Sequence, residues 1–413
     1  MTVRVLPHPL VLGLSKDERS PVCMEHTPAF CYNETVTSRA IYLHVPFCRR
    51  KCGYCSFVSC AGRESEIPAY VVALRREIAG RASGAAVPSI FFGGGTPSLL
   101  SVPRVETLLD TVHEHFVVAA HAEITLEANP GTVDEAYLGG LRRAGVNRLS
   151  LGAQRFEDSE LTALGRLHSA AEARQAFTAA RRAGFGNINL DLIYGLPGDS
   201  AAAWRTTLEA AVELKPEHLS LYPLTLEPDT PLGEAVAAGD VPAPDPDVAA
   251  DQYELAEDCL EAAGYDHYEI SNWARPAREC RHNLVYWDNA PYLGFGVAAH
   301  SSVDGRRCAN TNDLDEYLAA GGLAPLALDE RLDAETRRAE TVILGLRQGR
   351  GIDLAATSGR LGTDVAGEYH APFEDMTAAG LLERYDGRLR LTRRGRLLGN
   401  EVFWRLLPET GLT

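Results

Sequence analysis

Between residues 41 and 221 the chain alternates short apolar runs with longer amphipathic stretches, and this alternation restricts the fold more than any other feature. The strand-like runs are 41–45, 89–92, 123–127, 148–151, 187–194 and 218–221. The helix-like stretches between them are 67–81, 102–116, 133–144, 170–183 and 201–214. A repeated strand–helix unit implies a parallel sheet covered by outer helices, an α/β fold. Six such units suggest a partial or full (β/α) barrel, with a doubly wound open sheet as the alternative. In either architecture ligands sit beyond the C-terminal ends of the strands.

The loops at those ends are unusual. A cysteine cluster follows the first strand, and Gly93-Gly94-Gly95-Thr96-Pro97 the second. Glu127-Ala128-Asn129-Pro130-Gly131 follows the third, Gly152 and Gln154 the fourth, and Gly195-Leu196-Pro197-Gly198 the fifth. Simple turns account for one or two such loops, not for five at one rim.

Hydrophobic residues make up 45% and charged residues 23%, so a large core is available and disorder is excluded. The net charge of −16 argues against a mainly electrostatic nucleic-acid binder. No apolar run is long enough to span a membrane, and the N-terminus reads as neither signal peptide nor anchor. A cytoplasmic location is therefore expected. Residues 1–36, with Cys23 and Cys31, read as an irregular arm, and Met24 is an alternative start. The barrel core is expected over 37–270, and a connecting segment rich in aromatics, His and Asn over 271–325. A mostly helical, winged-helix-like unit is expected over 326–413, with a helix at 332–346, a hairpin at 381–392 turning at Asp386-Gly387, and a closing helix at 396–407.

Nine cysteines are too few for a disulfide scaffold, and their spacing matters more than their number. Cys48, Cys52 and Cys55 form C-x3-C-x2-C, with Cys60 nearby. Thiolates are soft ligands for zinc or an iron–sulfur cluster. Three of them can hold three irons of a [4Fe-4S] cluster and leave the fourth iron open to a small molecule. Arg49, Arg50 and Lys51 would offset the cluster's negative charge. A zinc site completed by His44 or another His, and a cluster completed by Cys60, are the alternatives.

C-x3-C-x2-C with Tyr54 before the third cysteine, followed by GGGTP, resembles the radical S-adenosylmethionine (SAM) superfamily. LEANPGT, GVNRLSLGAQRF, NLDLIYGLPG, YEISNWARP, CRHNLVYW and LTRRGRLLGNEVF, in this order, resemble its coproporphyrinogen-oxidase-like family from about residue 40 onward. The resemblance implies a cluster on Cys48, Cys52 and Cys55, with SAM chelating the open iron and cleaved by an electron from a low-potential donor such as flavodoxin or ferredoxin. It places Tyr42, Tyr54, Gly94, Gly95, Thr96, Glu127, Gln154, Arg166 and Asp191 at SAM-binding positions. The glycines would let backbone approach the methionyl part closely. HNLVYW, beginning at His282, is similar to a motif associated with heme binding, and implies heme contact by His282 with Cys280 as a further candidate. The family's oxidising enzymes carry another cysteine two residues after the third, where this chain has Phe57. That favours a heme-chaperone branch, with heme and a heme-acceptor protein as partners, over a coproporphyrinogen oxidase or a radical methyltransferase. No catalytic residue is assigned. Arg155 and Val297-Ala298-Ala299 depart from the family pattern, which has Ser at the first position and more glycine at the second.

Overall fold

The order of the strands separates the two candidate architectures. The computed structural model describes residues 38–408, so the arm expected over 1–36, with its two cysteines, lies outside the described residues. Six strands run parallel and lie side by side in chain order: β1 (Ala40–Val45), β2 (Ala86–Gly94), β3 (Val117–Ala128), β4 (Arg148–Gln154), β5 (Ile188–Tyr194) and β6 (His218–Pro223). A doubly wound sheet reverses its order at a switch point. Here every step goes the same way, so right-handed crossovers bring all the intervening helices to one face. This is barrel winding.

The sheet continues at both edges. Beyond β6 lie β8 (Asn272–Ala274) and β7 (Asp266–Glu269), both antiparallel. On the other side β9 (Tyr292–Phe295) pairs parallel with β1, and β10 (His300–Val303), β11 (Arg306–Asn310) and β12 (Leu326–Arg331) follow antiparallel. The two outermost strands, β12 and β7, are not neighbours, so the twelve-stranded sheet curves without closing. The segment expected as a connector thus carries four strands of this sheet, along with two short helices, Arg281–Trp287 and Leu314–Ala320.

Side chains alternate across each strand, and the two faces differ in chemistry. Leu43, Phe92, Leu126, Leu149, Leu190 and Leu219 face the helices and are buried in the main core. Tyr42, Phe91, Glu127, Ser150, Asp191 and Ser220 occupy the alternate positions and line a cavity. A parallel sheet covered on both faces is normally apolar on both. The polar inner face marks a surface shaped to hold something.

The C-terminal region has its own core, built from Val342, Leu346, Phe373, Met376, Leu389 and Val402 among others. Its first helix, Ala334–Leu346, is followed by three shorter helices and a hairpin of β13 (Leu382–Tyr385) and β14 (Arg388–Leu391). Asp386 and Gly387 both have positive φ, +49° and +74°, as a two-residue hairpin turn requires. The closing helix expected over 396–407 is two short ones, Arg393–Leu397 and Gly399–Trp404. Backbone bonds from Ile270 N–H to Arg347 O (3.2 Å) and from Gly349 N–H to Tyr268 O (2.8 Å) fasten this region to the sheet edge. Arg155 points into the helix layer, ion-paired with Asp199 and with Glu160 (3.3 Å) and lying over Trp204. Ala298 sits at φ +57°, which glycine adopts without strain.

The two faces should respond differently to truncation. Leu190→Ala, which empties a fully packed outer-face position, should cost about 2–5 kcal/mol in urea unfolding. Ser150→Ala, on the cavity face, should cost far less. Equal losses would contradict the assignment of faces.

Candidate cofactor site at the strand ends

The rim at the C-terminal ends of β1–β6 encloses a cavity of about 560 Å3. Its lining includes Tyr42, Cys48, Cys52, Tyr54, Cys55, Gly94, Gly95, Thr96, Glu127, Gln154, Arg166, Asp191 and His282, whereas the alternative ligands His44, Cys60 and Cys280 are not part of it.

The cysteine loop leaves β1 through Phe47–Cys48, which pairs parallel with Cys60–Ala61. Cys48 and Cys55 each feel the charge of other thiols in the triad, and burial pushes both thiols up, Cys55 to about 11. Cys60 is set apart: it does not line the cavity, and the charges acting on it come from Arg63 and Lys51, then Glu66 and Asp315. His44 is also removed from ligand duty. Its Nδ1 meets Tyr42 OH at 3.2 Å and its Nε2 meets Val58 O at 2.9 Å, while burial holds its pKa down to about 4. The structure thus gives no support to the zinc site completed by His44 or to Cys60 as a fourth ligand. Among the described residues no three His, Cys, Asp or Glu side chains already stand as a closed metal-ligand group. The three thiols share one wall of an open cavity.

A chain of side-chain hydrogen bonds runs behind that wall. Thr96 Oγ1 donates to Cys48 Sγ (3.4 Å), and Asn129 Nδ2 donates to Thr96 Oγ1 (3.0 Å). Arg166 donates to Asn129 Oδ1 (2.5 Å), to Gly152 O (2.8 Å) and to Cys52 Sγ (3.5 Å). Tyr54 also contacts Arg166 and packs with Leu164, Ile193 and Leu196. Asn129 is part of the site although the sequence reading placed it only in a loop motif. Its signal was its place at a strand end.

Gly94 and Gly95 line the cavity, and their lack of side chains also serves the packing beneath it. Gly94 has φ +114°, and a Cβ there would lie 2.7 Å from the His44 ring. A Cβ on Gly95 would lie 2.8 Å from Phe47 O and 3.0 Å from Cys48 Sγ. The space a side chain would need is taken by the protein itself. These glycines let β2 run flush against the cysteine loop, which seats Cys48.

The opposite wall is acidic and polar. Glu127 accepts from Gly94 N–H (3.2 Å). Burial, and then the charge of Asp191, pushes its carboxyl up from the ordinary 4.5 to about 8. Asp191 is also raised by burial, against hydrogen bonds from Ser150 Oγ and Asn189 Nδ2, both 2.9 Å. Gln154 follows a bulge between β4 and β5 and takes φ +65°. Arg148, Asn189 and Tyr222 also line the cavity and were not singled out by sequence reasoning.

His282 is almost fully buried, with Nδ1 3.0 Å from Ser89 Oγ and Nε2 2.9 Å from Tyr286 OH. Its backbone N–H donates to Glu123 Oε1 (3.1 Å). Both ring nitrogens are therefore engaged, and a bond from His282 to a heme iron would require one of them to leave its partner. Cys280 Sγ contacts Glu123, and burial pushes its thiol up to about 12, so it is protonated. The His282 ring and the Cys280 thiol are thus engaged within the protein, while the Trp287 indole N–H nearby is buried without a hydrogen-bond partner among the described residues.

Comparison with known proteins agrees with this arrangement. A family model for the radical SAM superfamily matches residues 42–211, and one for the HemN C-terminal domain matches 332–398. The crystal structure of coproporphyrinogen III oxidase (HemN) from Escherichia coli, a radical SAM enzyme, superposes with a TM-score of 0.78 at 25% identity over 90% of both chains. Fold and site together define a radical SAM protein. The heme chaperone HemW of Mycobacterium tuberculosis is 41% identical over 375 residues, 89% of this chain and 94% of that relative. HemW of Bacillus subtilis is 34% identical over 377 residues, 90% of this chain and all of that relative. The chain belongs to the HemW family of the radical SAM superfamily. That superfamily implies a [4Fe-4S] cluster and SAM. The residues present fit both: three cavity-facing thiols on one loop, a cation at 3.5 Å from one sulfur, and polar groups opposite.

The elevated Glu127 carboxyl has a consequence for stability. Folding takes up a proton at this group between about pH 4.5 and 8, so its contribution becomes unfavourable as pH rises through that window. Glu127→Gln removes the titration. The wild-type protein should lose more unfolding free energy between about pH 5 and 8 than the variant does, measured by urea melts. Parallel pH profiles would contradict the raised carboxyl.

Proposed function

We propose that this chain binds heme and passes it to an acceptor protein, with a [4Fe-4S] cluster held by Cys48, Cys52 and Cys55 and completed by SAM. The observation that carries the reading is Phe57. It lines the cavity at the position where the oxidising relatives have a further thiol. An aromatic ring there offers no donor, acceptor or redox group. The names of the M. tuberculosis and B. subtilis relatives point the same way.

When bound, the cluster supplies one-electron reduction of the SAM sulfonium. The chain's own residues prepare the site for it. Arg166 lowers the cost of negative charge on Cys48 and Cys52. Thr96 donates to Cys48 and fixes its sulfur. Gly94 and Gly95 keep β2 against the loop, so Cys48 cannot drift. Glu127 and Asp191 face the cavity from the opposite wall, where a carboxyl suits ribose hydroxyls or a sulfonium. Gln154, Tyr42 and Tyr54 supply further polar contacts for SAM. His282 supports heme by holding Tyr286 and the 281–287 helix in place, rather than through a ring nitrogen standing ready. A low-potential donor such as flavodoxin or ferredoxin would deliver the electron.

The structural likeness to HemN keeps the oxidase as the second reading. Under anaerobic reducing conditions with SAM, the wild-type protein should bind heme and form no protoporphyrinogen from coproporphyrinogen. Decarboxylation would restore the oxidase. For the cluster, alanine at Cys48, Cys52 or Cys55 should abolish iron incorporation on reconstitution, and Cys60→Ala should leave it intact. Loss of iron in Cys60→Ala to the same degree would remove the three-thiol assignment. Gly95→Val should also lower iron content, because its side chain would enter the space of Phe47 O and Cys48 Sγ.

A further inference from the structure

Five arginines line the cavity, and their partners differ. Arg50 is exposed at the rim. Arg166 donates to Cys52, Asn129 and Gly152. Arg396 holds Glu257 through Nε at 2.8 Å and Nη2 at 2.6 Å. Arg148 makes no hydrogen bond or ion pair among the described residues, but Cys280, Glu123 and Asp191 act on its charge from the inner wall.

Arg347 is in a different position. It caps the helix Ala334–Leu346 and is 6% exposed. Its guanidinium lies over Trp287, 4.7 Å from the ring centroid, and 5.6 Å from that of Phe403. Its Nε is buried without a hydrogen-bond partner, and the side chain makes no ion pair among the described residues. The acid whose charge acts on it most is Glu269. That carboxylate is already used: it accepts from the Asn272 side chain and from Ser271 N–H (3.2 Å), and burial pushes it toward the neutral form. The Arg347 backbone is fixed to the sheet edge through Ile270 N–H, so the group cannot swing out to solvent as a unit. A buried guanidinium remains charged, and buried charges require a partner. The fork is held ready, between two aromatic faces, at the wall of a cavity built for a ligand.

We propose that Arg347 receives a carboxylate of the ligand bound in this cavity, with Trp287 and Phe403 taking the adjoining apolar part. The assignment rests on the heme reading. It identifies the end of the cavity nearest the C-terminal region as the one that takes heme's carboxylate side chains. Arg suits this task because its planar fork can donate two parallel hydrogen bonds to one carboxylate.

The test compares heme with an iron porphyrin dimethyl ester, which keeps the macrocycle and lacks the carboxylates. Wild-type protein with its cluster in place should bind heme about tenfold or more tighter than the ester, as expected for a charge-assisted pair. Arg347→Met should lose that preference through weaker heme binding, with affinity for the ester unchanged. Arg347→Lys, which keeps the charge without the fork, should fall between the two. Undiminished preference for heme in a folded Arg347→Met protein would overturn the assignment. If the Met variant does not fold, the Lys variant and the wild-type pair decide: equal binding of heme and ester by wild type overturns it. Failure of wild type to bind either compound would overturn the heme reading itself.

Discussion

The site depends on one half-buried cation. Arg166 reaches Gly152 at the end of β4, Asn129 after β3 and Cys52 on the loop after β1, and Asn129 passes the connection to Thr96 after β2 and on to Cys48. Four strand ends are thereby joined to two thiols by a single chain of hydrogen bonds. The charge matters as much as the geometry. Cys48 and Cys55 sit in a partly enclosed space, where burial pushes both thiols up, and the charge of Arg166 works against that at Cys48. The guanidinium is itself held in place by the carbonyl and amide it touches, so its position does not depend on a ligand.

Barrel winding makes this possible. Because each crossover moves to the next strand in the same sense, all six loops fall on one rim, and residues distant in sequence become neighbours. The polar face of the sheet then continues the site inward. Asn189 bridges Ser150, Asp191 and His218, which keeps the inner acid hydrogen-bonded although it is enclosed. Glu127 has fewer such donors and an acidic neighbour, and its carboxyl is pushed up to about 8. The two walls therefore carry distinct electrostatics: a cation behind the thiols, and two acids raised by burial opposite.

Much of this was legible in the sequence, for reasons that can be named. The apolar runs of β1–β6 and the amphipathic stretches between them carry their own local signals, and the cysteine and glycine motifs sit at the strand ends where chemistry concentrates. Other features had no local signal. β9 to β11 are only four or five residues long, and only their pairing beside β1 defines them as sheet. The purpose of Gly94 and Gly95 lies in what they touch, His44 and Cys48, across 40 to 50 residues of chain. Heme contact by His282 was implied by the resemblance of HNLVYW to a heme-associated motif, and the partners of its ring, Ser89 and Tyr286, had no local signal. Arg347 and Phe403 come from a region with a separate core, and no spacing rule links them to a cavity formed by β1–β6.

The central claim is that three thiols on one wall leave a single metal position open to SAM. Mössbauer spectroscopy of protein reconstituted with 57Fe tests it most directly. Adding SAM should change the isomer shift of one iron site in the cluster and leave the thiolate-bound sites as they were, because only one iron lacks a protein ligand. A spectrum unchanged by saturating SAM, with all sites equivalent to thiolate-ligated iron, would contradict the account.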